Sequence, residues 1–113
     1  MKSKILALSK NEEFKNLLKQ KKLSNKYVTV FFGKLVDKDN RKLNISFVTK
    51  KKIGNAVKRN KIKRRLRNIV NEAVKKVIIK FNYSYLVIAK STMLNNEYKN
   101  IKKTLFLDLE KIK

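Results

Sequence analysis

The chain has 113 residues, and its 31 lysines and arginines against eight acidic residues give a formal net charge of +23. It contains no cysteine and no histidine, which excludes disulfides, cysteine–histidine zinc sites and the commonest general acid and base near neutral pH. A hydrophobic content of 42% is enough for a buried core, so we expect one folded domain over residues 1–113. Such a charge indicates nucleic acid, an anionic membrane or an acidic protein as partner.

The first residues do not predict export or membrane insertion. Residues 2–9 combine lysines with an apolar stretch far shorter than the ~7–15 residues of a signal peptide. No apolar run in the chain approaches the ~18 residues of a transmembrane helix. We therefore expect a cytoplasmic protein that does not span a membrane.

The first predicted element is a short helix from Asn11 to about Lys21. Ser9 and Glu12 have the spacing of a capping box, in which two side chains bind the free backbone N–H groups of the first turn. The apolar stripe of this helix consists of Phe14, Leu17 and Leu18.

Two strands follow the helix. Residues 27–36 are rich in β-branched and aromatic side chains, which favours a strand. Residues 37–41 contain the Asp and Asn residues typical of a turn. A second strand is predicted from Leu43 to Thr49, with Ile45, Phe47 and Thr49 on one face.

A long basic helix is predicted from about Asn55 to Lys80, after a turn at Gly54. At 100° per residue, one sector of this helix is apolar and the opposite side carries cations and amides suited to phosphate and sugar oxygens. Arg59 falls in the otherwise apolar sector, so we expect it to project toward the sheet edge and line a groove between helix and sheet. The apolar set is Ile62, Leu66, Ile69, Val70, Ala73 and Val77, and the opposite set is Asn60, Lys61, Arg64, Arg67 and Asn68.

The chain ends with a strand and a helix. Tyr85–Ala89 is a nearly continuous apolar run, typical of a strand buried on both faces. Asn95 is predicted to cap a last helix with its apolar side formed by Tyr98, Ile101, Leu105, Leu109 and Ile112. The order is helix, two or three strands, helix, strand, helix, which predicts an α+β fold with one sheet of about four strands packed with helices.

No catalytic site is evident in the sequence. The eight acidic residues show no paired catalytic spacing, and Gly33 and Gly54 are the only glycines, so there is no glycine-rich phosphate loop. We therefore predict no catalytic residue and no metal ligand in this chain. If the protein takes part in a reaction, a partner supplies the chemistry.

The basic segment resembles a known family signature. The run Lys51-Lys52-x-Gly54-x-Ala56-Val57-x-Arg59-Asn60-x-x-Lys63-Arg64-x-x-Arg67 is similar to that of the protein-subunit family of bacterial ribonuclease P. The resemblance extends to residues 11–14, 28–31 and 85–89. It implies an α+β fold in α-β-β-β-α-β-α order, with a left-handed crossover around the long helix.

The resemblance also implies partners. In this family the ribonuclease P RNA subunit removes the 5′ leader of precursor tRNA with Mg²⁺ that the RNA mainly holds, and the protein binds that RNA and the leader. The protein alone is expected to be monomeric. By position in the signature, the contacts to catalytic RNA are Lys51, Lys52, Arg59, Asn60, Lys61, Lys63, Arg64 and Arg67.

A cleft for the single-stranded leader is implied at Phe14, Phe31, Arg59 and Asn60. The two aromatic rings could stack on unpaired bases, and ordinary core packing is the alternative for both. Three positions depart from the family pattern: Lys61 stands where an arginine is usual, Leu18 where an aromatic is usual, and Ser46 where a glycine is usual.

Two other functions fit the composition. One is a non-enzymatic RNA-binding protein, such as a ribosomal protein or an RNA chaperone. The other is a protein that binds an anionic membrane surface, which is disfavoured because the apolar side of the basic helix is needed for a core and no tryptophan is present.

Overall fold

The computed structural model describes residues 5–6, 11–34, 43–76 and 78–112. Within these residues the chain forms one mixed sheet, three α-helices and two short 3₁₀ helices. The strands are β1 (Ile5–Leu6), β2 (Lys21–Ser24), β3 (Val28–Lys34), β4 (Leu43–Val48) and β5 (Tyr83–Ala89). The α-helices are α1 (Asn11–Leu18), α2 (Ala56–Lys75) and α3 (Tyr98–Lys111), and the 3₁₀ helices are Lys51–Ile53 and Ser91–Leu94.

The sheet has the strand order β1-β4-β5-β3-β2. β4 pairs in parallel with both β1 and β5, whereas β3 pairs antiparallel with β5 and β2. The predicted α+β class and the order α1-β2-β3-β4-α2-β5-α3 are confirmed, and the two-residue β1 is an addition at one edge. The connection from β4 through α2 to β5 is a crossover between neighbouring parallel strands; its left hand remains what the family resemblance implies.

The two faces of the sheet bury different sets of residues. On the first face, alternate residues of β3, β4 and β5 pack with the apolar sides of α2 and α3 in the main core, which includes Val30, Ile45 and Tyr85. The second face carries the intervening residues, and there Leu17 of α1 packs with Leu86. The run Tyr85–Ala89 is therefore covered on both sides, as its continuous hydrophobicity predicts.

The long helix α2 is shorter than predicted. It begins where expected, because the Asn55 side chain caps it by accepting a hydrogen bond from the Lys58 backbone N–H at 3.0 Å. It ends at Lys75 and not at Lys80. Just after this end, the Ile78 N–H donates a hydrogen bond of 2.9 Å to the Ala73 carbonyl oxygen. The β-branched residues that follow are weak helix formers, and leaving the helix allows Ile79 to enter the core.

The apolar side of α2 is otherwise as predicted. Its buried residues are Ile62, Leu66, Ile69, Val70 and Ala73. Val77, the remaining member of the predicted set, lies outside the described residues, as do Ser9 of the capping box and the predicted turn at 37–41.

Three further boundaries were predicted wrongly. The first helix ends at Leu18, since the next N–H groups form turn hydrogen bonds and residues 21–24 pair with β3 as a strand. The second predicted strand ends at Val48, one residue before Thr49. Asn95 does not cap the last helix: residues 91–94 form a 3₁₀ helix that buries Met93, so α3 starts later, with Glu97 at its N-cap.

Candidate nucleic-acid interface

The outer side of α2 carries exposed cations and amides, as predicted. Asn60, Lys61, Arg64, Arg67 and Asn68 are all exposed, and we call these five residues the basic stripe. Among the residues that the structure describes, the ion pairs involve Glu72 and Asp108 with lysines of α3, so the cations of the basic stripe are not neutralised by these carboxylates. This leaves their charge available to an anionic partner.

Arg59 and Lys63 lie at the border between the basic stripe and the core, and both are half-buried. The Nε atom of Arg59 is buried and has no hydrogen-bond partner within the described structure. A buried N–H without an acceptor is costly, and a ligand oxygen that reached this atom would remove that cost. The partial burial agrees with the predicted inward position of Arg59.

Arg65 has a different role from its neighbours in the basic segment. Its Nη1 atom lies 3.3 Å from the Asn96 carbonyl oxygen and 3.4 Å from that of Met93. It thereby binds α2 to the segment after β5. Together with Lys58, Lys61 and Asn95 it borders a small pocket of about 170 Å³.

A second candidate surface lies on the second face of the sheet. Its floor is formed by Phe31, Val48, Leu86 and Ile88, and we call this surface the groove. The end of α1 and the turn after it close one end of the groove at Gly33, where an added Cβ would lie 3.0 Å from Gln20 Cγ and 3.4 Å from Leu17 Cδ2. Phe31 is half-buried, so part of its ring stays accessible in the groove.

The open end of the groove leads into a pocket of about 610 Å³. Ile88 of the groove and Thr29, which pairs with it, line this pocket together with Lys50 and with Lys52 of the first 3₁₀ helix. Lys90, Ser91 and Thr92 complete its polar lining. A residue of the basic signature, Lys52, therefore stands at the end of the groove.

The structure corrects the expected position of the groove. The space between α2 and the sheet is filled by core side chains such as Ile62 and Leu66, so no groove runs there. Phe31 projects from the opposite face of the sheet. The first 3₁₀ helix links the two regions along the chain, since it precedes α2 and lines the pocket through Lys52 and Ile53.

The remaining predicted positions fall as follows. Phe14 lies in α1 one turn before Leu17, and its side chain is outside the described part of the structure. Leu18 is 50% exposed on the same helix. Ser46 pairs in register with Leu86 and therefore lies on the groove face of the sheet. Lys51 is exposed in the first 3₁₀ helix.

Metal and membrane features were also sought among the described residues. They include no group of three or more His, Cys, Asp or Glu side chains that could hold a metal ion. None of the helices in that part of the chain has the length and apolar character needed to cross a bilayer.

The fold and the two surfaces define a class of protein. A small, strongly basic α+β domain with cations on one helix side and an aromatic residue in a nearby groove is typical of proteins that bind RNA. The family model described as ribonuclease P matches residues 3–113, and the chain belongs to this family. Its general function is therefore that of a ribonuclease P protein component, with a role in tRNA processing.

Individual relatives agree with this family. The chain is 33% identical over 110 residues to the ribonuclease P protein component of Carboxydothermus hydrogenoformans, covering 94% of this chain and 90% of the relative. It is 32% identical over 98 residues to the component of Mesoplasma florum, covering 87% and 86%. The solved RNase P protein of Thermotoga maritima superimposes with a TM-score of 0.80 at 26% identity, covering 96% of this chain and 98% of that one. The Staphylococcus aureus protein gives 0.77 at 28% identity, covering 94% and 95%.

Proposed function

We propose that this chain binds the ribonuclease P RNA subunit through the basic stripe and the 5′ leader of precursor tRNA through the groove. In doing so it promotes the Mg²⁺-dependent removal of the leader by the RNA. The observation that carries the proposal is the two-sided nature of α2, which has a fully buried apolar side and an outer side of exposed cations without carboxylate partners in the described structure.

The basic stripe suits a large, folded RNA. Arg64 and Arg67 present planar guanidinium groups that can bind phosphate in a bidentate manner, and Asn60 and Asn68 can bond to sugar or base oxygens. Because Leu66 and Ile69 are completely buried, the helix is held in one orientation. Its cations therefore need little further ordering when RNA binds, which lowers the entropic cost of association.

Lys51, Lys52, Arg59 and Lys63 extend the proposed RNA contact at the start of the helix. Arg59 is the residue of this group with a specific structural indication, because its buried Nε lacks an acceptor. A phosphate or base oxygen is the acceptor that the proposal supplies. The family resemblance also implies that Arg59 and Asn60 belong to the leader cleft. We propose that these two residues contact RNA where the RNA subunit and the leader meet.

The groove suits single-stranded RNA. Unpaired bases stack on aromatic side chains irrespective of their sequence, and the accessible part of Phe31 offers such a surface. Phe14 lies on the helix that closes the groove and is proposed to contribute to the same leader site. The lysines around the pocket at the open end, Lys50, Lys52 and Lys90, can neutralise phosphates of the same strand.

The proposal gives this chain no bond-breaking step. Metal-bound hydroxide is a competent nucleophile for phosphodiester hydrolysis, and we place the Mg²⁺ mainly on the RNA subunit. The described residues bring together no set of carboxylates suited to hold it, so no metal ligand is assigned to the protein. Its part is to bind and orient the two RNAs, as a monomer acting in the cytoplasm.

The alternatives are weaker. Membership of the ribonuclease P family decides against a ribosomal protein. A membrane-surface role would need an accessible apolar side on α2, and that side is buried in the core.

Copurification tests the proposed partner. The chain, expressed in a bacterial host together with its cognate RNA subunit, should retain that RNA through purification at moderate salt. The double variant Arg64→Ala/Arg67→Ala should lose most of it, whereas Lys99→Ala/Lys103→Ala, which removes the same charge from exposed positions on α3, should not. Retention of ribosomal RNA in place of the subunit, or equal loss in both double variants, would contradict the proposal.

A further inference from the structure

The register of β2 brings a lysine to the groove beside Phe31. β2 and β3 pair antiparallel, with Lys22 opposite Phe31 and Lys21 opposite Phe32. Directly paired residues project from the same face of a sheet, with Cβ atoms about 4.5–5.5 Å apart. Lys22 therefore lies on the groove face, whereas Lys21 lies on the opposite face. Both side chains are exposed.

The row continues along the same two strands. The next pair on the groove face is Ser24 and Thr29, whose hydroxyl oxygens are 3.2 Å apart. Lys90 reaches this pair: its Nζ donates to Ser24 Oγ at 2.9 Å and to the Asn25 carbonyl at 2.6 Å. An ammonium group has three donors, so one further N–H can bind a phosphate oxygen.

Further lysines lie around the same groove. Lys22 lies opposite Phe31, and Lys90, Lys50 and Lys52 line the pocket at the open end. We call these four residues the lysine border. In the described structure the carboxylates that form ion pairs, Glu72 and Asp108, do so with lysines of α3, so they do not neutralise the border.

We propose that the edge strand β2 extends the leader site of the groove, with Lys22 binding the leader phosphate next to the base on Phe31. This inference rests on the proposed function of the groove. An aromatic surface beside a cationic row is the combination that holds single strands, because it contacts base and backbone together. A duplex offers phosphates to the lysines, but its stacked bases leave no face for Phe31.

The alternation of the strand provides a matched control. Lys22→Ala and Lys21→Ala remove the same charge from neighbouring exposed positions of β2, and they differ in the face from which the side chain projects. In the holoenzyme reconstituted with its RNA subunit, Lys22→Ala should weaken precursor tRNA about two- to fivefold, the range of exposed charge pairs, and leave mature tRNA unchanged. Lys21→Ala should change neither, and Lys22→Arg should retain wild-type affinity for the precursor.

Salt dependence gives a second readout. The log of the affinity should fall more steeply with log salt for precursor tRNA than for mature tRNA. In Lys22→Ala the difference between the two slopes should shrink by about 0.7, the value for one phosphate of a single strand. Thermal melts should match wild type, because both lysines are exposed.

The outcomes distinguish the role of Lys22 from the proposed function of the groove. If wild-type holoenzyme prefers the precursor but Lys22→Ala and Lys21→Ala behave alike, the inference about Lys22 is overturned and the leader function of the groove stands. If wild-type holoenzyme binds precursor and mature tRNA equally, the proposed function fails and this inference fails with it.

Discussion

Removal of one arginine from the basic stripe gives a quantitative test of RNA binding by α2. Arg64 is exposed and forms no ion pair with a carboxylate of the described structure, so its truncation leaves no buried group without a partner. We expect Arg64→Ala to change the free energy of unfolding by no more than about 0.5 kcal/mol. Any larger effect on RNA affinity then reports the lost contact and not a damaged fold.

The magnitude follows from the cations that the structure leaves available. In the part of α2 up to Arg67 these are Lys58, Arg59, Lys61, Lys63, Arg64 and Arg67, since Arg65 is bound to backbone carbonyls. If each neutralises one phosphate, the log of the affinity for the RNA subunit should fall against log salt with a slope of roughly −4 to −5. Arg64→Ala should make that slope shallower by about 0.7–0.9.

The assay is equilibrium binding of labelled RNA subunit over a series of KCl concentrations at fixed Mg²⁺. Lys103→Ala on α3 is the control, because it removes one exposed positive charge away from the basic stripe. The reasoning is refuted if the wild-type slope is near zero, or if Lys103→Ala changes the slope as much as Arg64→Ala.

Further predictions concern the groove, the core, the tyrosines and the isolated chain. Phe31→Ala should weaken precursor tRNA by ~1–3 kcal/mol relative to mature tRNA if one base stacks there, while the affinity for the RNA subunit changes little; equal weakening of both tRNAs in a variant with a normal melting curve would return Phe31 to ordinary packing. Leu66→Ala should lower the free energy of unfolding in urea by about 2–5 kcal/mol, since Leu66 is 0% exposed; a loss below 1 kcal/mol would contradict the core described above. Burial raises the pKa of Tyr85 far above its usual value, and burial together with Glu72 raises that of Tyr98, so the contribution of these tyrosines to stability should be constant below about pH 10 and fall above it as they ionise in the unfolded chain; Tyr85→Phe should reduce this fall in thermal melts, and an unchanged pH profile would refute the assignment. The RNA-free protein should show no nuclease activity with Mg²⁺, because the chain lacks histidine and cysteine and its described residues bring no metal-ligating group together; metal-dependent cleavage by such a preparation would contradict this.

Hydrophobic periodicity predicted the parts of the fold where one period runs over many residues. In α2 the apolar spacing identified every buried position from Ile62 to Ala73 and placed the cations on the outer side. Tyr85–Ala89 could be assigned to a doubly covered strand because its hydrophobicity does not alternate. These assignments needed no knowledge of tertiary contacts.

The errors fall where tertiary contacts decide. β2 consists of Lys21–Ser24, whose composition does not favour a strand, and it is held by pairing with β3 along one edge of the sheet. The late start of α3 depends on Met93, which is buried by a 3₁₀ turn that no local pattern indicates. Helix α2 ends early because Ile79 packs into the core.

In the candidate site, too, the sequence predicted what depends on one helix and missed what depends on strand pairing. Exposure of the basic stripe followed from angular position on one helix, so the sequence was sufficient to predict it. The groove combines residues from β3, β4, β5 and α1, and its location on the sheet face away from α2 depends on strand order. The position of Lys22 beside Phe31 requires the register of a strand that the sequence did not reveal.

The central claim is that this chain supports leader cleavage by an RNA catalyst, and the most direct measurement is reconstitution at low Mg²⁺. The cognate RNA subunit is incubated with 5′-labelled precursor tRNA at Mg²⁺ concentrations at which the RNA alone is slow, with and without the protein. We predict that the wild-type protein restores rapid release of the intact leader, and that Arg64→Ala/Arg67→Ala requires more protein for the same rate. Cleavage that is equally slow with and without the folded, RNA-bound protein would contradict the account.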